Sequence, residues 1–193
     1  ELTDGTAVSI ANGLAAGENV VTIDVYPTDQ EVYVTTYTFR IFRPYNPTCT
    51  VSRMTVYPNG ETALAYPTYL DNREGTLFRY DEETGELVTG ANGRPSTGWS
   101  NTVYTYKTYI YGSRTSFLSL SPTFGYTGQR AMLYVNGEPL EEAVSSWKSS
   151  AIEIGEEGAV ITLRVNSEKY HAEQVAAGVE DPFAKPEKEY RIY

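Results

Sequence analysis

The sequence predicts an all-β protein built as an antiparallel β-sandwich, and three observations point there. Short runs of alternating apolar and polar residues, rich in Tyr, Thr and Val, recur along the chain with turn residues roughly every 8 to 12 positions. Only one stretch, "SEKYHAEQVAAGVED" from Ser167, favours helix locally. One strand phrase also occurs twice, as "GLAAGENVVTIDVY" at 13–26 and "EIGEEGAVITLRVN" at 153–166. The repeat places Val21, Thr22, Ile23 and Val25 on Ile161, Thr162, Leu163 and Val165. Such a spacing is too long for a solenoid unit and suits a whole domain.

The elements follow in order. "NVVTIDVY" puts Val21, Ile23 and Val25 on one face of a strand. After the turn "PTDQ", the run "EVYVTTYTFRIF" puts Tyr37, Phe39 and Ile41 on one face and completes a hairpin. The triplets of both copies are expected to point into equivalent cores. "PYNPT" at 44–48 carries two prolines, cannot extend a central strand, and reads as a linker. The organisation predicted is therefore a partial first unit, 1–44, and a complete second unit, 45–193. In the second, "VSRMTVYP" offers Val51, Met54 and Val56, and "GTLFRYDEETGELV" is a hairpin turning at Gly85. "GANGRPSTGWS" at 90–100 is a long, turn-rich loop. "NTVYTYKTYIYG" reads as a Tyr/Thr strand with Val103, Thr105, Lys107, Tyr109 and Tyr111 on one face. Tyr104, Tyr106, Thr108 and Ile110 take the other. "TSFLSLSP" is a strand stopped by Pro122, and "RAMLYVNGEPL" runs into an Asn136-Gly137 hairpin turn. "SAIEIG", "AVITLRV" and "EYRIY" supply the last strands. The helix-prone stretch reads as a loop insertion with a single helical turn, because its counterpart in the first copy is only "PTDQEVYVT".

Composition excludes several functions. The net charge of −10 and pI near 4.6 provide no basic footprint for nucleic acid or anionic membrane. The acidity itself reads as solubility. No run of about 18 apolar residues exists to insert into a membrane. Glu1 is not followed by a signal-peptide pattern, so a removed leader or an internal fragment is expected. Cys49 is the only cysteine, which excludes an intramolecular disulfide and a cysteine zinc site. Its isolation fits a cytosolic protein or a bacterial surface protein held by core packing. His171 is the only histidine and would have to serve any Ser-His-Asp or Cys-His arrangement. With no nucleophile motif near it, it reads as a solvated loop residue. No phosphate loop or nucleophile elbow is present, so neither catalysis nor a cofactor is expected.

The doubled phrase resembles the cadherin-like β-sandwich repeats of bacterial surface proteins, Gram-positive ones above all. Their closing signature is an apolar-x-x-G-x-N turn, an I-x-I-x-V strand and then Y-x-I-x-V-x-R. Gly17, Asn19, Val21, Ile23 and Val25 match it, as do Tyr37, Phe39, Ile41 and Arg43. "AMLYVNGEPL" is similar to the family's VxVNG hairpin. The resemblance covers 1–43 and roughly 117–193, and it implies an immunoglobulin-like or cadherin-like sandwich. The first copy lacks a front half and the second stops at Tyr193, short of the terminal Arg. Both ends therefore look cut, as in a fragment of a larger modular protein. The motif identifies an architecture and not an activity.

Candidate sites divide into sharp and bland readings. "LDNRE" at 70–74 is similar to acidic cadherin calcium motifs with a residue inserted, but it has no D-x-D partner and reads as a polar turn. No metal is expected. The carboxylates of "DEETGE" at 81–86 could be a glycosidase pair, but one tight turn reads better as a solvated tip. Lys107 could form an intramolecular amide only if desolvated beside an acid or Asn. The strongest binding candidates are aromatic: Trp99, Tyr104, Tyr106, Tyr109 and Tyr111, with Tyr66 and Tyr69 in a second loop. Tyr is common at binding surfaces, and the chain has 17 of them.

Function is accordingly expected to be non-catalytic. The first expectation is an extracellular adhesion or binding module recognising a host or environmental protein, immunoglobulin included, or a glycan. The alternatives are a domain of a carbohydrate-active enzyme and a structural spacer. The loops between Pro58 and Thr115 argue against the spacer.

Overall fold

The computed structural model describes residues 13–26, 34–59, 74–110 and 117–193. The chain divides into two compact units, Glu1–Tyr45 and Asn46–Tyr193.

In the first unit, β1 (Gly17–Val25) pairs antiparallel with β2 (Thr35–Arg43). Asn19 folds back on the entering turn, accepting from Ala15 N at 2.9 Å and donating to Ala15 O at 2.8 Å. The register sets Val21 opposite Phe39 and Ile23 opposite Tyr37. One face of the ribbon carries Val21, Ile23, Val25, Tyr37, Phe39 and Ile41, and the other carries Glu18, Thr22, Asp24, Thr36, Thr38 and Arg40 together with Val20 and Phe42. The expectation that Val21, Ile23 and Val25 fill a core is corrected. Val25, Tyr37, Phe39 and Ile41 are exposed, and Val21 and Ile23 are only half-buried. Two strands bury neither of their faces without an opposing layer.

The second unit is an all-β sandwich. One sheet has the order β10-β7-β3, from β3 (Val51–Pro58), β7 (Phe117–Phe124) and β10 (Ile152–Glu153). The other has the order β5-β4-β6-β12-β11-β8-β9. It comprises β4 (Phe78–Asp81), β5 (Glu86–Leu87), β6 (Thr105–Lys107), β8 (Arg130–Val135), β9 (Glu138–Ala143), β11 (Ile161–Asn166) and β12 (Lys188–Ile192). Val51, Met54, Val56, Leu118 and Leu120 of the smaller sheet form one buried cluster with Leu133, Ile161, Leu163, Val165, Tyr190 and Ile192 of the larger. Period-2 alternation supplies both inner faces, except that a bulge between Val51 and Arg53 lets Val51 and Met54, three residues apart, both face inward. The Asn136-Gly137 turn forms as the sequence predicts, with φ of 51° and 88°, the left-handed pair that a tight hairpin turn requires.

Four local expectations change. The Tyr/Thr strand shrinks to β6, which runs parallel to β12, the single parallel pair among the described strands. Pro122 does not stop β7 but lies inside it, opposite Met54. The amides of Leu120 and Phe124 point away from β3, to the hydroxyls of Ser149 and Ser146. Pro122 shares their parity, so its missing N–H breaks no bond to β3. The predicted loop insertion is a helix, α1 (Glu168–Ala176), of two and a half turns. And the linker residue Asn46 is anchored, its N–H bonding Glu168 Oε2 at 2.8 Å and its C=O accepting from Lys169 N at 3.0 Å.

Candidate functional site

The outer face of the seven-stranded sheet carries the polar chemistry. Because Ile161, Leu163 and Val165 point inward, Arg164 points outward, and the same parity sends Glu189 and Arg191 of β12 outward. Arg164 Nε lies 2.8 Å from Glu189 Oε2, and Arg191 Nη2 lies 2.6 Å from Glu189 Oε1. Arg191 also reaches Glu82 at 3.4 Å, where Tyr193 donates its hydroxyl at 2.5 Å. Burial alone would raise the Glu189 carboxyl. The hydrogen bonds from Arg164 and Arg191 override it and hold the group below the ordinary carboxylate value. The row ends in aromatic rings on both sides. Arg164 lies over Tyr134 at 4.5 Å. Tyr193 meets Tyr80 at 5.1 Å, and Lys107 lies over Tyr80 and Tyr109 at 5.5 and 5.8 Å.

At the Tyr134 end the face deepens into a cleft of about 610 Å³. Met132 and Tyr134 of β8 and Pro139 and Glu142 of β9 line one side. His171 and Val175 of α1 and the segment 180–183 line the other. The roof is held from below. Fully buried Asn166 donates to Pro182 O at 2.9 Å and accepts from Glu187 N at 3.0 Å. Ser167 caps α1, accepting from Tyr170 N at 3.1 Å. Gly178, at φ 71°, ends it: Val179 N bonds Gln174 O at 3.1 Å and Gly178 N bonds Val175 O at 3.0 Å. Inside the cleft the His171 ring leans on Phe183 at 5.4 Å. Burial, then the nearby Arg130, push the imidazole pKa below its ordinary value, with Glu142 opposing. His171 Nδ1 is buried without a hydrogen-bond partner among the described residues. His171 is thus a half-buried helix residue and not the solvated loop residue the sequence predicts.

Two of the predicted aromatics belong to the interior. Tyr106 is fully buried, with its hydroxyl donating to Ser100 O at 2.9 Å. Trp99 is half-buried, stacks on Tyr106 at 4.9 Å and donates Nε1 to Val51 O at 2.8 Å. These two were expected in a binding platform and instead close one end of the core. A Trp that finds an acceptor for its N–H packs stably at such a border. Tyr104 is exposed, over Tyr190 at 5.4 Å. Tyr109 belongs to the Lys107 cluster, edge-on to Phe78 at 5.7 Å. Tyr66, Tyr69 and Tyr111 lie outside the described residues, as do residues 70–73 of "LDNRE". The 81–86 turn is an exposed tip, with Asp81 accepting from Glu83 N at 2.9 Å. The Cys49 thiol is pushed up to about 12 by burial and then by Glu187, which disfavours its thiolate form at neutral pH.

Sequence reasoning missed the cleft. Its signals were the Ser167 cap, the Gly178 stop, and the parity that leaves Met132 and Tyr134 opposite in facing to Leu133. Among the described residues no group of three or more His, Cys, Asp or Glu side chains could hold a metal ion. No described helix is long and apolar enough to cross a membrane. A scan against protein-family models matches no family, and no curated protein or solved structure matches the chain.

Proposed function

We propose that the chain is a non-catalytic, extracellular binding module of a modular bacterial surface protein, with a cadherin-like sandwich presenting the cleft over β8, β9 and α1 to a protein ligand. The cleft is the observation that carries this reading. Its volume lies in the range of ligand sites, roughly 300–1,000 Å³. Met132, Tyr134, Pro139 and Val175 offer an apolar seat, and Glu142, Glu180 and Asp181 place carboxylates beside it. That combination favours an apolar anchor flanked by Lys or Arg, such as a basic segment of a host protein. The net charge of −10 would draw such a partner in. The bacterial, cell-surface setting rests on the resemblance of the repeated strand phrase. A glycan is the second reading, favoured by the Tyr80–Tyr193 pair and exposed Tyr104, which offer rings for sugar stacking.

A host-protein panel, immunoglobulin included, and a glycan array run side by side test the proposal. Val175 is exposed, so Val175→Arg leaves the fold intact while filling and recharging the cleft. A protein ligand lost in Val175→Arg and retained in Tyr104→Ala supports the cleft. Glycan binding lost in Tyr104→Ala supports the second reading. Protein binding unchanged by Val175→Arg refutes the first.

A further inference from the structure

The two copies of the strand phrase fold into hairpins with the same register. Val21↔Phe39, Thr22↔Thr38, Ile23↔Tyr37, Asp24↔Thr36 and Val25↔Thr35 in β1–β2 correspond pair by pair to Ile161↔Ile192, Thr162↔Arg191, Leu163↔Tyr190, Arg164↔Glu189 and Val165↔Lys188 in β11–β12. A slip of one residue would reverse every facing, so the match defines the same apolar face on both. Their surroundings differ. The face of β11–β12 is covered by β3 and β7, and its edges pair with β8 and β6. β1–β2 forms a sheet of two strands only, with both outer edges unpaired among the described residues. Tyr37 is 54% exposed where Tyr190 is 0%, and Val25 is 47% exposed where Val165 is 0%.

We propose that the apolar face of β1–β2 is a docking surface for a polypeptide segment with the size and chemistry of residues 46–157, supplying an opposing sheet like β3–β7 and strands for both edges. The chain itself displays this solution on the equivalent hairpin. A second copy fits less well. Its own 46–157 segment is already occupied by β11–β12, and two hairpins packed face to face would leave every outer edge unpaired. The contact is structural and independent of the ligand cleft.

The test compares the 193-residue chain with one in which an additional copy of 46–157 is linked ahead of residue 13, using residue-resolved amide exchange. In the 193-residue chain, β1–β2 amides are expected to exchange about 100-fold or more faster than those of β11–β12, as for locally opened segments. In the extended chain they should slow to within about tenfold of β11–β12. Val21→Ser with Phe39→Ser should abolish that gain and leave β11–β12 unchanged. Three results overturn the proposal. One is full protection of β1–β2 in the monomeric 193-residue chain. Another is protection that rises with concentration alongside dimer, which makes a second copy the occupant. The last is an extended chain whose hairpin stays unprotected, including when the added segment remains unfolded, since β1–β2 is required to complete it.

Discussion

Leu163→Ala and Ile23→Ala remove the same side-chain position from the two copies of one phrase, and the structure assigns them different costs. Leu163 is buried on β11, between Leu133 of β8 and Tyr190 of β12, both also fully buried. Losing its apolar atoms costs about 2 kcal/mol of transfer free energy at ~0.8 per methylene. The unfilled cavity adds roughly 1–2 kcal/mol, because neighbouring strands relax only partly. The sum, about 3–4 kcal/mol, lowers the Tm of a unit this size by roughly 10 °C. Ile23 is half-buried on a ribbon that no further strand pairs with or covers among the described residues, so the same truncation should cost under ~1 kcal/mol. Denaturant titration of both variants measures the contrast, with an unchanged m-value confirming that stability alone has moved. A loss below ~0.5 kcal/mol for Leu163→Ala would mean β11 is not the centre of the sandwich. Equal losses at the two positions would mean that β1–β2 is already covered.

Other outcomes follow from particular contacts. Gly128 has φ of +84°, and a Cβ there would lie 2.5 Å from Glu168 Oε1; Gly128→Ala should cost ~1–3 kcal/mol, and Glu168→Ala in the same chain should recover part of it in a double-mutant cycle. Trp99→Ala removes a stacked ring and the bond to Val51 O, so it should destabilise by about 3 kcal/mol, the lower end for large aromatics; Tyr104→Ala, at an exposed ring, should stay within ~0.5 kcal/mol by the same titration. The folded His171 pKa lies below the ordinary 6.5, so the unfolded chain binds its proton first as pH falls. His171 therefore withdraws stability as pH drops through about 6.5, and His171→Gln should flatten that part of a Tm-versus-pH curve. Glu189 acts in a separate, lower window: its carboxyl is held below the ordinary 4.5, and the stability it contributes is lost as pH falls below that value.

What local periodicity controls was legible in the chain. The alternation of "AVITLRV" and "RAMLYV" determined which residues face inward, and Asn136-Gly137 determined a hairpin, because both depend on residues near one another in sequence. The all-β class followed from those runs. α1 was also written locally, in Ser167 and Gly178, but its weak amphipathic pattern hid it beside stronger strand signals. Which aromatics are interior was not legible. Tyr104 and Tyr106 sit two residues apart and would share one facing in a strand, yet one is exposed and the other buried, because Tyr104 lies just outside β6 while Tyr106 lies within it, paired on both sides. Nor could sequence bring Tyr134, His171 and Phe183 together, since their meeting depends on Asn166 tying the 180s segment over β8. The repeated phrase shows the division most plainly. Sequence determined the facing of the repeated strands, because the pleat is local. Only tertiary structure decided that Leu163 is buried and Ile23 is not, because burial depends on what stands opposite, and an opposing sheet is contributed by strands distant in the chain.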